Sequence, residues 1–391
     1  MKRRFFLGLA ANYPGDEIFA HTFMVGRKED LTDLKSFLLK RYGGEKAILT
    51  KNGRSALTLA LQAYFEPGDQ ILVNGFTCYA VYEAVKAAKL EPVFVDISLN
   101  DLNFTTTTLG AAFETNSAIR DTTKETESTA EKTNPTTNMI KGIIIQNTLG
   151  NPVDIVAIEK FAAEHGLTII EDLAHSAGVK YIDGREVGTV GATTVLSFGK
   201  EKSIDTVAGG ALVLRQPCKN TVEAPNKLPR LRDHLRARLY PFFGLVCRKL
   251  TTIHLGGVLM KFLLKIHLVE RSADSKLDLK RRLSKFEAKR ALMQIKGLSR
   301  AGEKPLRNFY LVHDRDKLLA ELKEAGYYFD GFWYEKPVSP VRYYKKVHFP
   351  EKDCRNAVYA AEHIINIPKY YRKKNLEPAI KIIEKYLEEK V

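Results

Sequence analysis

Short apolar segments alternate with amphipathic helical patterns through the first half of this chain of 391 residues. One such pattern runs from Gly53 to Phe65, where apolar residues recur at the spacing of a single helix face. Apolar strands that alternate with helices build a mostly parallel sheet with right-handed crossovers and helices on both faces. The sequence therefore predicts an α/β fold with the strands KAILT, QILVN, PVFVDI, KGIIIQN, LTIIED, TTVLSF and GALVL.

The same pattern divides the chain into four parts. An N-terminal segment, 1–44, precedes the alternating region at 45–215, and residues 280–391 are predicted to form a smaller C-terminal α+β domain. The stretch between them, 216–279, is basic and apolar at roughly helical spacing, so we expect helices there. Residues 115–138 are rich in Thr, Lys and Glu and are predicted to be a disordered surface insertion.

Composition narrows the class of protein. With 45% apolar and 27% charged residues, the chain is a globular protein rather than a disordered or collagen-like one. The four cysteines lie far apart without metal-ligand spacing, which favours a reducing cytoplasm over a disulfide framework or a zinc site. The longest uncharged run of the most apolar region, Leu250 to Met260, is too short to cross a bilayer. At the N-terminus we expect a first strand after a charged start rather than a signal peptide.

Three motifs stand where strands of such a sheet end, which is where parallel sheets bind their ligands. The first is KNGRSAL, between a strand and a helix. Gly53 allows a close turn, and the amides of Arg54 and Ser55 open the helix, an arrangement that suits a phosphate. The alternative is a simple helix cap by Asn52 or Ser55.

The second motif is EDLAHS, directly after a buried strand. The carboxylate of Asp172 is costly to bury there unless it meets a cation or several donors. A protonated pyridinium nitrogen is one such cation, and His175 could reach the same ligand. The alternatives are a turn cap for Asp172 and a satisfied core histidine for His175.

The third motif, SFGKEKSIDTVAGG, starts at the end of another strand. Ser197 stands at the sheet edge, and the loop that follows carries Lys200 and Lys202. A desolvated lysine beside a cationic group has a lowered pKa and can attack a carbonyl and move protons as a free amine. The alternative is an ordinary solvated loop.

Together and in this order, the motifs resemble those of the DegT/DnrJ/EryC1/StrS sugar aminotransferases, pyridoxal-phosphate enzymes of the aspartate-aminotransferase fold. The family elements S/N-G-T-x-A-L, E-D-x-A-Q/H-x and S-F-x-x-x-K…G-G correspond here to NGRSAL, EDLAHS and SFGKEK…GG. The resemblance covers about Lys46 to Leu214 and, more loosely, the last hundred residues. It implies a large pyridoxal-phosphate domain over 45–215.

The resemblance assigns a role to each matched residue. Lys202, five positions after Ser197, would hold the cofactor and act as the general acid and base. Asp172 would pair with the pyridine nitrogen, and His175 would lie near the ring hydroxyl. Dehydratase relatives carry a histidine in place of this lysine, so Lys202 implies transamination. The cofactor phosphate would be held by Ser197, Gly53, Arg54 and Ser55.

The chain also departs from the family pattern. Arg54 stands where the family has a small hydroxyl residue. The aromatic residue that stacks on the cofactor would be Tyr79, since Cys78 takes its usual position. An N-x-R element reaches the site from the neighbouring subunit in this family and implies a homodimer. Here Lys280 replaces its asparagine at the phosphate, and Arg282 matches its arginine at the substrate.

The net charge of +15 is concentrated in one part of the chain. Residues 227–300 hold 19 Lys and Arg against 5 Asp and Glu, a balance of +14. The basic apolar stretch at 217–276 is consistent with a helical cap or dimer-packing element, or with an interfacial element on anionic lipid. Nucleic-acid binding has little support, because no recognised motif accompanies the charge.

By resemblance, the substrate is a nucleotide-linked keto-sugar and the amino donor is an amino acid, with glutamate expected. The product would be an amino sugar for a surface polysaccharide or glycolipid. Two alternatives stay open at this point. One is a different pyridoxal-phosphate reaction, such as acyl transfer to an amino acid. The other is a non-catalytic relative that associates with a membrane or a partner through its basic insertion.

Overall fold

The computed structural model describes residues 5–7, 15–126, 139–251, 253, 255–298, 305–329, 333–368 and 373–387. Its strands are β1 (Phe5–Leu7), β2 (Lys46–Thr50), β3 (Gln70–Asn74), β4 (Thr77–Cys78), β5 (Glu91–Val95), β6 (Ile140–Ile145), β7 (Thr168–Asp172), β8 (Thr193–Ser197), β9 (Gly210–Leu214), β10 (Arg307–Leu311), β11 (Tyr327–Phe329), β12 (Val338–Ser339) and β13 (Ile364–Pro368). Its α-helices are α1 (Gly15–Phe23), α2 (Glu29–Tyr42), α3 (Gly53–Tyr64), α4 (Tyr79–Ala87), α5 (Thr106–Thr126), α6 (Ile155–Glu164), α7 (Leu231–Thr251), α8 (Gly256–Lys265), α9 (Lys285–Leu298), α10 (Arg315–Glu324), α11 (Val341–Val347), α12 (Arg355–His363) and α13 (Lys373–Glu384).

A seven-stranded sheet lies at the centre of the larger unit, in the order β2-β9-β8-β7-β6-β3-β5. Its strands are parallel except for β9, which runs antiparallel to both β2 and β8. Each of the seven apolar segments of the sequence contributes one of these strands. The predicted α/β fold with a mostly parallel sheet is therefore confirmed.

Helices cover both faces of this sheet. Side chains alternate along a strand, so Ile48 and its neighbour Leu49 fall into two different core clusters. The first cluster packs the sheet against α3 and α4, and the second packs it against α2, α6 and α9. Burial on both faces explains why the strand segments are continuous apolar runs rather than alternating ones.

The smaller C-terminal unit begins later than the sequence suggests. The sequence pattern predicts a start at residue 280, but α9 packs into the second core cluster of the larger unit through residues such as Ala291 and Ile295. The unit instead starts at β10, which pairs antiparallel with β13, and α10 and α13 contribute to its separate core. The first strand expected at the N-terminus is present, because β1 pairs in parallel with β11.

The Thr-rich segment also differs from its prediction. The composition predicts disorder over 115–138, yet α5 continues through Thr126, and residues 127–138 lie outside the described residues. The prediction is wrong over 115–126 because Leu109, Ala112 and Phe113 recur at helical spacing and pack against the larger unit's core. The helix that they anchor extends into the polar segment.

The basic stretch forms the helices α7 and α8 over 231–251 and 256–265, and its residues 216–230 are not helical. The inner faces of the two helices pack with α1 in a small core of their own around Ile18, Tyr240 and Leu263. Across the described ranges, we find no helix that combines the length and the apolar character needed to cross a membrane.

Candidate active site

The three sequence motifs meet at one edge of the central sheet. Asp172 and Ser197 end the neighbouring strands β7 and β8. Gly209, just before β9, donates its N–H to the carbonyl of Lys51 at 2.8 Å and forms a bridge with Asn52. The carboxyl ends of parallel strands and the start of an antiparallel one thus bring together segments that are far apart in sequence.

The N-terminus of α3 lies directly against the end of β8. A β-carbon placed on Gly53 would lie 2.5 Å from Cβ of Ser197, so only glycine fits this approach. Asn52 caps the helix by accepting hydrogen bonds from the amide and the hydroxyl of Ser55, both at 2.9 Å. The first amides of a helix have no acceptor within it. Those of Gly53 and Arg54, beside the hydroxyl of Ser197, are therefore available to donate hydrogen bonds to an anion. The helix cap is confirmed, and the same turn is compatible with a phosphate.

The side chain of Arg54 is largely buried, with a side-chain exposure of 7%. Its guanidinium pairs with Glu83 of α4 at 2.5 Å and donates to the carbonyl of Ser275 at 2.5 Å. Its Nε is buried without a hydrogen-bond partner among the described residues. Asn52 also donates to the hydroxyl of Ser275, at 3.0 Å. Arg54 therefore ties α3, α4 and the segment before α9 together, and its charge is balanced by Glu83.

Lys202 and His175 form the centre of the site, with Nζ 3.1 Å from Nε2. The amide of Leu149 donates to Nδ1 of His175 at 3.2 Å. Because an amide can only donate, Nδ1 is unprotonated, and the proton of the neutral ring lies on Nε2. That proton faces Nζ of Lys202 and the hydroxyl of Tyr334, which lies 3.3 Å away. Burial lowers the pKa of both groups, well below its ordinary value for His175, so a neutral histidine faces an amine whose charged form is disfavoured.

Two adjacent carboxylates at the end of β7 have opposite environments. Glu171 is fully buried and accepts hydrogen bonds from Tyr181, Gly188, Val190, Gly191 and Arg215. Asp172 is only 7% exposed, and within the described chain it accepts one, from the amide of Ala174 at 3.1 Å. Burial raises the pKa of Asp172, and the nearby charge of Lys202 opposes that shift. Asp172 thus has unused acceptor capacity that a cation would satisfy.

The two lysines of the third motif point in different directions. Lys200 donates to the carbonyl of Glu270 and lies 4.6 Å from the ring centroid of Tyr240, within the basic helical region. Lys202 instead faces the sheet edge with His175. The negative charge of Asp172 raises the pKa of Lys202 and so opposes the larger, lowering effect of burial. The geometry therefore favours Lys202 as the reactive amine.

The C-terminal unit supplies site residues that sequence reasoning missed. The ring of Trp333 stacks on His175 at 5.1 Å, and Nζ of Lys202 lies 4.6 Å from the Trp333 ring centroid. The guanidinium of Arg307 lies 4.2 Å from the same centroid and pairs with Glu201 at 2.7 Å. No local motif marks these residues, because the pair Arg307–Glu201 joins positions 106 apart in sequence.

The three other predicted residues have the following contacts within the single chain. Tyr79 stacks on Tyr343 at 4.3 Å. Lys280 is exposed, and Arg282 is half-buried and donates to the carbonyl of Leu283 at 3.3 Å. Among the interactions of the described residues, neither Lys280 nor Arg282 is paired with Lys202. Their roles stay predictions that involve a second subunit.

A model of the DegT/DnrJ/EryC1/StrS aminotransferase family matches residues 29–224, half of the chain. The chain belongs to this family. It is 31% identical over 184 residues to the "pleiotropic regulatory protein" of Geobacillus stearothermophilus, and 33% identical over 184 residues to the "UDP-N-acetyl-3-dehydro-alpha-D-glucosamine 3-aminotranferase" of Acidithiobacillus ferrooxidans. Each alignment covers 47% of this chain and 42% of the relative, so the chain matches less than half the length of these curated relatives.

The fold is shared over nearly the whole chain with solved structures. A DegT/DnrJ/EryC1/StrS aminotransferase from Brucella abortus matches with a TM-score of 0.64 and 21% identity. That match covers 96% of this chain and 95% of the other. The likeness therefore extends to the C-terminal unit, which the family model does not reach.

Pyridoxal phosphate is the cofactor of the DegT/DnrJ/EryC1/StrS family, and the residues of this site fit it. Asp172 offers the unpaired buried carboxylate that a pyridinium nitrogen requires. The α3 N-terminus and Ser197 offer donors for a phosphate, and Lys202 offers a buried amine of lowered pKa. For a metal the site offers no such set, since the described residues contain no cluster of three or more His, Cys, Asp or Glu suited to one.

The close approach of α3 to β8 gives a stability prediction. Gly53→Ala is expected to lower the free energy of unfolding by about 1–3 kcal/mol, because its methyl group must displace Ser197. Gly110→Ala is the matched control, since Gly110 lies within α5 and a methyl group added there would have no heavy atom within 4 Å. It is expected to stabilise by about 0.5–1 kcal/mol. Urea denaturation measures both, and a Gly53→Ala protein as stable as wild type would contradict the close approach.

Proposed function

We propose that this protein is a pyridoxal-phosphate-dependent aminotransferase that moves an amino group from an amino acid to a nucleotide-linked keto-sugar. The observation that carries the proposal is the position of the Lys202 amine, 3.1 Å from a neutral His175 at the sheet edge where Asp172 and the α3 N-terminus also lie. An amine with a lowered pKa beside an unpaired buried carboxylate is suited to hold this cofactor and to move protons.

Each residue has a distinct task in the proposed reaction. When bound, the cofactor supplies an electron sink for the carbon that loses its proton. Lys202 would hold the cofactor through Nζ, and its amine, once free, would move the proton. Asp172 would keep the pyridine nitrogen protonated. Ser197 and the first amides of α3 hold the phosphate, and His175 donates from Nε2.

The substrate and the donor belong to the same proposal. The curated relative from A. ferrooxidans is named for an amine transfer on a UDP-linked dehydro-sugar, which supports a nucleotide-linked keto-sugar here. The concentrated positive charge of residues 227–300 would attract such an anionic substrate. Glutamate is the proposed donor, and the product is proposed to serve a surface polysaccharide or glycolipid.

A homodimer and a cytoplasmic location are part of the proposal as well. The exposed Lys280 and the half-buried Arg282 are available for the site of a second subunit. Cys78, Cys218 and Cys354 are thiols rather than members of a disulfide, which supports a reducing compartment. Peripheral contact with a membrane through the basic apolar stretch at 217–276 is also part of the proposal.

The test follows the first half of the reaction. Purified protein loaded with pyridoxal phosphate is mixed with glutamate, and 2-oxoglutarate is measured. We expect one equivalent per active site without a sugar acceptor and continuous turnover once a suitable UDP- or dTDP-linked keto-sugar is added. Protein that binds pyridoxal phosphate but forms no 2-oxoglutarate from glutamate or other amino acids would contradict amine transfer.

One observation favours a second candidate, a non-catalytic or differently reacting member of the family. Cys78 occupies the position of the usual stacking aromatic residue, and Tyr79 stacks on Tyr343 instead. A relative over the same part of the chain is named as a regulatory protein. Purified protein that takes up no pyridoxal phosphate would favour a non-catalytic role, while uptake with acyl transfer would favour a different reaction.

A further inference from the structure

Helix α8 is apolar on both of its sides. Its inner side contributes Leu263 to the core shared by α1 and α7, with Leu259 and Leu264 packed beside it. Val258, Phe262 and Ile266 follow one another at a spacing of one helical turn on the opposite side, and they are 64%, 56% and 50% exposed. Exposed apolar patches are typical of interaction surfaces, so the outer side of α8 is suited to a covering partner.

The preceding helix and the connection between the helices show the same property. Leu231, Leu235 and Phe242 share one face of α7 and are exposed large apolar side chains. Ile253 and Leu255, between the helices, are exposed too. We call the stripe of Val258, Phe262 and Ile266 on α8 the apolar face of the insertion.

The charges along the chain between Asp233 and Glu270 have one sign. From 234 to 269 the sequence has no Asp or Glu, and it holds six Lys and Arg. On α8, Lys261 and Lys265 are exposed and lie beside the stripe of Val258, Phe262 and Ile266. Lysines in that position can lie along an apolar surface while their ammonium groups stay in water.

We propose that the apolar face of the insertion docks onto an anionic lipid bilayer, with α8 lying in the plane of the interface. Apolar side chains that reach below the headgroups, flanked by lysines at headgroup level, are the features of an interfacial helix. A second copy of the chain would bring like charges together, which disfavours self-association through this face. The phosphate backbone of a nucleic acid would leave the apolar residues uncovered.

Flotation with lipid vesicles tests the surface directly, on the full chain. We expect the wild-type protein to float with phosphatidylcholine vesicles that contain phosphatidylglycerol, to stay behind with phosphatidylcholine alone, and to be released by high salt. Val258→Ser with Phe262→Ser is expected to weaken partitioning by at least about tenfold, because apolar burial is lost. Lys261→Gln with Lys265→Gln is expected to weaken it by about fivefold per lysine.

Matched variants separate lipid contact from a general loss of structure. Ile182 is 88% exposed on the larger unit, so Ile182→Ser removes an equally accessible apolar side chain away from the insertion. We expect it to float like wild type. Lys160→Gln on α6, an exposed lysine of the larger unit, controls for the charge change. All variants should keep the circular dichroism and thermal unfolding of the wild type.

Three results would overturn the proposal. One is wild-type protein that does not float with anionic vesicles, and another is equal flotation of the Val258→Ser/Phe262→Ser variant. The third is a wild-type oligomer that this variant dissociates, without vesicle binding, because the face would then join two copies of the chain. The proposal does not depend on amine transfer, so its failure and the failure of the proposed function are read separately.

Discussion

Lys202→Ala is expected to lower amine transfer from glutamate by about 10⁴-fold or more. General acid–base catalysis alone contributes up to about 10⁴-fold, and the same amine is also proposed to bond to the cofactor. Fold and stability should be retained, because Nζ contacts His175 and the Trp333 ring but forms no ion pair among the described contacts. The formation of 2-oxoglutarate measures the loss, and circular dichroism checks the fold.

Lys200→Ala is the matched control for this experiment. Lys200 is two residues away and burial lowers its pKa to about 8, but its amine points at Glu270 and Tyr240. We expect this variant to keep its activity within about tenfold of wild type. Borohydride reduction with pyridoxal phosphate, followed by peptide mapping, should place the adduct on Lys202. An adduct on Lys200, or full activity of Lys202→Ala, would contradict the assignment.

The motif residues could be predicted from sequence because each lies within a few positions of a strand end. Once the strands are parallel neighbours, their carboxyl ends meet, and Asp172, Ser197 and Lys202 come to one edge without further information. The Gly53 turn is predictable for the same reason, since it follows β2 directly. Short-range pattern and sheet topology together therefore account for this half of the site.

The remaining half comes from packing between distant segments. Trp333 and Arg307 reach the site because the C-terminal unit packs over the sheet edge, and a local pattern does not encode such packing. The family resemblance implies that Tyr79 stacks on the cofactor. As the first residue of α4 it stacks on Tyr343, a contact that depends on where α11 lies.

The adjacent carboxylates of β7 provide the second large prediction. Asp172→Asn is expected to lower amine transfer by about a hundredfold or more, the usual minimum for removing an essential proton-handling group. An amide cannot stabilise a protonated pyridine nitrogen, so the affinity for pyridoxal phosphate should fall as well. Absorbance titration with pyridoxal phosphate and the 2-oxoglutarate assay measure the two effects.

Substitution of Asp172 and of Glu171 should affect the free energy of unfolding differently. Burial raises the pKa of Asp172 above its unfolded value, so its ionisation disfavours the folded apoprotein as pH rises through that range. Asp172→Asn removes this cost and should leave the free energy of unfolding at neutral pH unchanged or higher. Glu171→Gln breaks a buried pair with Arg215 and should lower it by about 3–5 kcal/mol.

Comparison of the two variants separates a role in cofactor binding from a role in the stability of the fold. Glu171 has donors on both carboxylate oxygens and no described contact with Lys202 or His175, so the folded fraction of Glu171→Gln should keep its pyridoxal-phosphate affinity. Asp172→Asn should instead fold fully and lose that affinity. The opposite result would be a destabilised Asp172→Asn protein whose folded fraction binds pyridoxal phosphate normally. Asp172 would then be a turn cap for Ala174, and another carboxylate would be the partner of the pyridine nitrogen.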